Sequence, residues 1–319
     1  MNFKKFLTIP EVRDLIDKNT KMPKYKIESE MKAEPLTKNY ILVGIAFDYF
    51  IRFYLKRENQ EIDDPIWKAE INCNTKAGGK LDIFNHKLID IPDRFMYYGK
   101  VPRKDEKEIK ILIDNLNSAQ FSYHKYLKNG IVSDEVIKSC FLLAKIESSL
   151  NDYVPIDSNF GKIEAKDIED LRNLINTLSP EHFYFRNTCH IKTPLEAPLI
   201  SDKITEADLI IDDAIIDVKV TKEPRLTREM FRQLTAYFIL HNYSTYTNFK
   251  IEKKELANFS INKMGVYFAR HGILYKFNAE DVFLPSAPEE LVTPLFRQIT
   301  KYYIESGTKK YDSDFQCYR

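Results

Sequence analysis

Hydrophobic patterning divides the chain into three textures. From Tyr40 to about Arg57, apolar residues fall on nearly every side, with Ile41, Ile45, Phe47, Phe50, Ile51, Tyr54 and Leu55. A helix apolar almost all round is a buried one. Residues 60–180 keep helical spacing. The pattern predicts helices from Lys104 to about Leu116, after a Ser133-Asp134-Glu135 cap through Ile146, and from Glu164 to Leu178, where Ser179-Pro180 stops it. Trp67 is the only tryptophan and reads as a core anchor. From Phe183 the texture becomes alternating. Strands are predicted over 188–198, 206–220, 262–269 and 273–277, with one helix from Arg228 to about His241 behind a Thr227 N-cap. Residues 11–18 predict a short helix, residues 20–38 an irregular segment, and Pro288 to about Glu305 a last helix before a polar tail.

The alternating stretch Glu206–Val220 carries the candidate chemistry. It predicts two strands joined by the two-residue turn Asp212-Asp213, since aspartate tolerates left-handed backbone. Such a turn sets Ile211 opposite Ala214, Leu209 opposite Ile216 and Asp208 opposite Asp217. One face is then apolar throughout, with Ala207, Leu209, Ile211, Ala214, Ile216, Val218 and Val220. The other carries Glu206, Asp208, Asp217 and Lys219, with Ile210 and Ile215 nearer the turn. Two carboxylates directly across a ladder sit about 5 Å apart at Cβ and repel unless neutralised. Mg²⁺, which takes one or two carboxylates plus substrate phosphate, would neutralise them, and Lys219 could reach a phosphate or a bound water. The plainer alternative is the solvent face of an ordinary antiparallel hairpin.

Asp208, followed by Asp217-Val218-Lys219, resembles the signature of the PD-(D/E)XK nuclease superfamily. Gln233 and Tyr237, four apart on the next helix, are similar to the Gln-x-x-x-Tyr of its RecB-like branch. That branch also has an upstream Gly-x-x-x-His helix. Here Gly44-Ile45-Ala46-Phe47-Asp48 places Asp48 at the histidine position. Aspartate also binds hard cations. The alternative for Asp48 is a salt bridge with Arg52.

The resemblance implies an α/β fold, with an α+β mixed-sheet core of restriction-endonuclease type and a large helical insertion. The corresponding organisation is 1–60 for the N-terminal segment and first core helix, 61–182 for the insertion, 183–285 for core sheet and helix, and 286–319 for the C-terminal helix and tail. It implies Mg²⁺ or Mn²⁺ held by Asp48, Asp208, Asp217 and the Val218 backbone carbonyl, with Lys219 orienting the attacking water and Gln233 and Tyr237 positioning the site. Basic residues near the motif, Lys222, Arg225, Arg228 and Arg232, are weaker candidates for nucleic-acid contacts.

Composition narrows these expectations. The formal net charge is +1, so a nucleic-acid enzyme would need a local basic groove. The four cysteines, Cys73, Cys140, Cys189 and Cys317, form no C-x-x-C pair, which argues against zinc and suits a reducing cytoplasm. The iron–sulfur cluster of some RecB-like nucleases is not expected. Thr75-Lys76-Ala77-Gly78-Gly79-Lys80 lacks P-loop spacing and reads as a turn. No apolar run is long enough for a membrane span or a signal peptide. Glu147 and Asp152, at a helix end, could approach a site, with solvated helix-end charges the plainer reading. The expectation is a metal-dependent nuclease acting on nucleic acid, DNA favoured over RNA, in repair, recombination or antiviral defence, with the helical block available to a protein partner. The competing expectation is a nuclease fold that has lost its chemistry and only binds nucleic acid or a partner.

Overall fold

The structure, a computed structural model, describes residues 6–24, 27–62, 64–76, 106–149, 155–195, 205–246 and 261–284. The expectations for residues 77–80, Asp152, Cys317 and the helix at 288–305 lie outside these residues. The elements in order are α1 (Pro10–Asn19), α2 (Tyr40–Glu58), α3 (Lys68–Lys76), α4 (Glu106–Asn129), α5 (Asp134–Ser149), α6 (Ala165–Asn176), β1 (Cys189–Leu195), β2 (Thr205–Ile211), β3 (Ala214–Lys219), α7 (Arg228–Tyr246), β4 (Lys263–Phe268) and β5 (Ile273–Asn278).

The five strands form one mixed sheet in the order β1-β2-β3-β4-β5. β1–β2, β2–β3 and β4–β5 are antiparallel, and β3–β4 is parallel. A parallel neighbour needs a crossover, and α7 lies within it. The described fold is therefore α+β, a mixed sheet with helices.

Two apolar clusters sandwich the sheet. The larger joins α2 through Val43, Phe47 and Phe50, the helices α3–α6 through Cys73, Leu116, Phe141 and Leu171, and the sheet through Leu209, Ile216 and Val218. This explains why α2 lacks a polar side: helices press on it from one direction and the sheet from the other. Trp67 packs against Tyr49, Phe53 and Tyr123. The second cluster joins α1 through Val12 and Ile16, and α7 through Phe231, Leu234 and Phe238, to Ile210, Ile215 and Val266 on the opposite sheet face.

The hairpin face expected to be polar is therefore covered. Ile210 and Ile215 lie beneath α7, and Ala207 joins them in the second cluster rather than Leu209 in the first. Strict alternation breaks at Asp208. Strand β3 is interior, with β2 and β4 on its flanks, and buries both faces, which period-two patterning alone does not reveal.

Glycine is required on two grounds at Gly272, which turns β4 into β5. Its φ is +62°, and a Cβ there would lie 2.6 Å from the Thr177 carbonyl oxygen. The same turn is held by a buried ion pair. Arg270 Nη1 donates to Asp170 Oδ1 at 2.8 Å and to the Ala33 carbonyl at 3.0 Å, joining the sheet to α6 and the segment before α2.

Candidate active site

The Asp212-Asp213 turn forms as the spacing predicts, with Asp212 at φ +51°. Asp212 Oδ1 accepts the Asn187 N–H at 2.8 Å, and Lys263 Nζ approaches Asp213 Oδ2 at 2.9 Å. Both turn carboxylates are thus structural. The ladder then pairs Ile211↔Ala214, Ile210↔Ile215 and Leu209↔Ile216, and stops.

Asp208 and Asp217 are consequently not a ladder pair, which corrects the cross-strand expectation. Beyond Leu209 the strands splay, and the Asp208 side chain enters the gap. Its Oδ2 accepts the Val218 backbone N–H at 2.9 Å, a group that a continued ladder would otherwise satisfy. There Asp208 lies near enough to the Asp217 carboxyl for its charge to hold that carboxyl up. The two acids come together because the ladder opens.

Asp217 projects toward α7 and is 1% exposed. Lys219 Nζ forms an ion pair with Asp217 Oδ2 at 2.5 Å. Gln233 Nε2 donates to the Tyr237 hydroxyl oxygen at 2.6 Å and reaches Asp217 Oδ1 at a long 3.5 Å. The Gln-x-x-x-Tyr pair thus braces Asp217 from the helix, as one helical turn of spacing permits.

Asp48 projects from α2 into the same site. Arg52 is engaged elsewhere, at 2.8 Å from Asp64 Oδ1, so the Asp48–Arg52 salt bridge does not form. Lys192, which the sequence reading did not single out, joins Asp48 to the pair. Its Nζ lies 3.0 Å from Asp48 Oδ2 and 2.6 Å from Asp208 Oδ1. A small recess here is lined by Asp48, Ile51, Ile191, Lys192, Asp208 and Val218. Lys68, also not singled out by the sequence, pairs with Glu206 at 2.8 Å, and Glu147 accepts the Tyr49 hydroxyl at 2.9 Å, each influencing Asp48 or its neighbours. Glu147 is therefore a flank of the site. No local sequence signal marks Lys192, because the long β1–β2 connection leaves its register open, or Lys68, which stands on a helix 138 positions before its partner Glu206.

Burial and mutual charge set the ionisation. Burial raises Asp48 to about 6, with Lys192 opposing and Asp208 assisting. Burial raises Asp217 to about 7, with Lys219 opposing and Asp208 assisting. Asp208 goes the other way: burial disfavours its charge, but Lys192, Lys219 and the Val218 amide outweigh it and hold the carboxyl well below its usual range. For Lys219, burial favours the neutral amine, but Asp217 and Asp208 prevail and keep it protonated. Burial, with Asp217 and Asp208, also pushes the Tyr237 hydroxyl far up. One acid ionised and its neighbour protonated is the usual outcome for carboxyls sharing a site.

The donor chemistry fits a hard divalent cation. Asp48, Glu147, Glu206, Asp208 and Asp217 face Lys68, Lys192 and Lys219, an excess of two negative charges when all are ionised. All available donors are oxygens. Among the described residues, no group of three or more His, Cys, Asp or Glu side chains is gathered closely enough to hold a metal ion. Lys192 stands between Asp48 and Asp208.

The basic candidates separate. Arg232 is bound to α1, with Nε 2.9 Å from Asp17 Oδ1 and Nη2 2.5 Å from Asp17 Oδ2, so it braces helices rather than offering a free charge. Lys222, Arg225 and Arg228 are exposed, and Lys222 Nζ lies 5.5 Å from the Tyr40 ring centroid. Cys73, Cys140 and Cys189 are buried. No helix among the described residues is long and apolar enough to cross a membrane.

Compared with family models, curated proteins and solved structures, the chain has no match.

Proposed function

We propose that this chain is a divalent-cation-dependent nuclease of the PD-(D/E)XK superfamily, in its RecB-like branch, hydrolysing phosphodiester bonds of nucleic acid, with DNA the favoured substrate. The observation that carries the reading is the meeting of Asp208, Asp217 and Lys219 where β2 and β3 splay, with Gln233 and Tyr237 bracing Asp217 from the following helix. An antiparallel β1–β2–β3 run, a crossover containing α7, and β4 parallel to β3 support a core of restriction-endonuclease type. Helices α3–α6 are then the insertion between α2 and that core, and a surface for a protein partner. Repair, recombination and antiviral defence are the contexts such an activity serves.

Asp208, Asp217 and the Val218 carbonyl would hold Mg²⁺ or Mn²⁺, with Asp48 beside them. When bound, the cation supplies Lewis-acid activation of water and neutralises phosphate charge. Lys219 is held protonated by two carboxyls, so it acts as a cation rather than a general base. It orients water and offsets charge developing on the scissile phosphate, and such a stabiliser is worth on the order of 10²–10³ in rate. Gln233 holds Asp217 in orientation.

The second reading, a nuclease fold that only binds, is favoured by Lys192 lying between two of the proposed ligands. Labelled single- and double-stranded DNA and RNA, incubated with Mg²⁺, Mn²⁺ or EDTA, separate the readings. Cation-dependent cleavage that falls at least a hundredfold in Lys219→Ala, with Mn²⁺ binding retained, is the expected result. Cleavage by Lys219→Ala at the wild-type rate refutes the mechanism, and binding without cleavage of any substrate favours the second reading.

A further inference from the structure

Resting on the reading of Asp48 and Asp208 as cation ligands, we infer that Lys192 is the resident counter-ion of this site and that a divalent cation binds by displacing its ammonium group. Three observations point there. First, Lys192 has φ +47°, in the left-handed region that is strained for a non-glycine residue. The β1–β2 ladder pairs Ile191↔Leu209 and Thr193↔Ala207 but skips the step between them, where Lys192 would face Asp208. A lysine serving only as a strand residue has no use for this kink, which coincides with the lysine that bridges the acids.

Second, the ammonium sits where a cation would. Nζ lies 3.0 Å from Asp48 Oδ2 and 2.6 Å from Asp208 Oδ1. The other Asp208 oxygen is engaged by the Val218 amide, so Oδ1 is the oxygen left for a ligand, and Lys192 holds it. Third, one ammonium against two carboxylates leaves a negative charge, whereas a divalent cation leaves none. Two half-buried carboxylates without any counter-ion would strain the apo fold, so the lysine keeps it intact until metal arrives. Lysine suits this role better than arginine, because a flexible point charge lets go without breaking a bidentate fork. Its side chain is 16% exposed.

The test uses the full chain and Mn²⁺ alone as probe. Calorimetry should show Lys192→Met binding Mn²⁺ about tenfold more tightly than wild type or better, since a competing cation is gone. Metal-free Lys192→Met should melt lower than wild type, and Mn²⁺ should raise its melting temperature by more. In wild type, the Lys192 amine should be protected from acylation without metal and become reactive on adding Mn²⁺, as read by mass spectrometry. This labelling also carries the test should Lys192→Met not fold. Wild-type protein that binds Mn²⁺ while Lys192 stays protected, or Lys192→Met that binds no more tightly, overturns this inference and leaves the nuclease reading standing. Failure of wild type and Lys192→Met alike to bind Mn²⁺ overturns both. Binding by Lys192→Met alone supports the inference, with a wild-type site that the lysine keeps closed.

Discussion

Replacing Asp217 with asparagine should stabilise the metal-free protein, increasingly so as pH rises. Asp217 is buried, and its Lys219 contact does not compensate for that burial, so its carboxyl is pushed from the ordinary 3.8 to about 7. The sign follows from linkage. Below the unfolded value both states hold the proton and the group costs nothing. Between 3.8 and about 7 the unfolded chain ionises while the folded site resists, so stability is lost as pH rises through that window. Each pH unit is worth about 1.4 kcal/mol, so the full window amounts to about 4 kcal/mol. Asparagine is nearly isosteric with the protonated acid and does not titrate. Asp217→Asn should therefore differ little from wild type at pH 4 and exceed it by up to about 4 kcal/mol at pH 8. Urea unfolding followed by circular dichroism in EDTA at pH 4, 6 and 8 measures this directly. A difference independent of pH, or a wild type that gains on the variant as pH rises, would refute the reasoning and show that the Lys219 ion pair outweighs burial. At pH 8, Mg²⁺ should stabilise wild type and leave Asp217→Asn nearly unmoved.

Other expectations are structural or concern access. Asp170→Ala leaves Arg270 charged and buried without its partner, so it should cost about 3–5 kcal/mol by urea unfolding. Gly44 lies one helical turn before Asp48, and a Cβ there meets nothing within 4 Å. Gly44→Ala should raise stability by about 0.5–1 kcal/mol, whereas Gly44→Phe should fill the open space and lower cleavage at unchanged Mn²⁺ affinity. Arg228→Ala should flatten the salt dependence of DNA binding by about 0.9 in log–log slope with little effect on melting. Arg232→Ala should instead lower the melting temperature by releasing Asp17 on α1, and leave that slope alone.

Local patterning made several elements legible. The fully apolar stretch after Tyr40 is a buried helix, the Asp212-Asp213 turn sets the β2–β3 register, and the Thr227 hydroxyl accepts the Met230 N–H at the start of α7. Each depends on residues within a few positions of one another. Gln233 and Tyr237 were likewise readable as neighbours because helical spacing alone puts them on one face. Period-two alternation failed at Asp208, since the splay depends on a side chain taking over the Val218 amide rather than on the run of apolar positions.

The sequence by itself determined that Asp208, Asp217 and Lys219 belong to one hairpin, that Asp48 lies on a buried helix, and that a bracing helix follows. These are consequences of spacing, which a chain carries locally. Only the tertiary structure decided that Asp48 reaches Asp208 through Lys192, that Lys68, Glu206 and Glu147 flank the site, and that Arg232 is committed to Asp17. Those contacts join residues from 16 to 215 positions apart in the chain. They exist because α2 and the sheet face each other across a shared apolar cluster, and burial there forces each stranded charge to find the nearest opposite one.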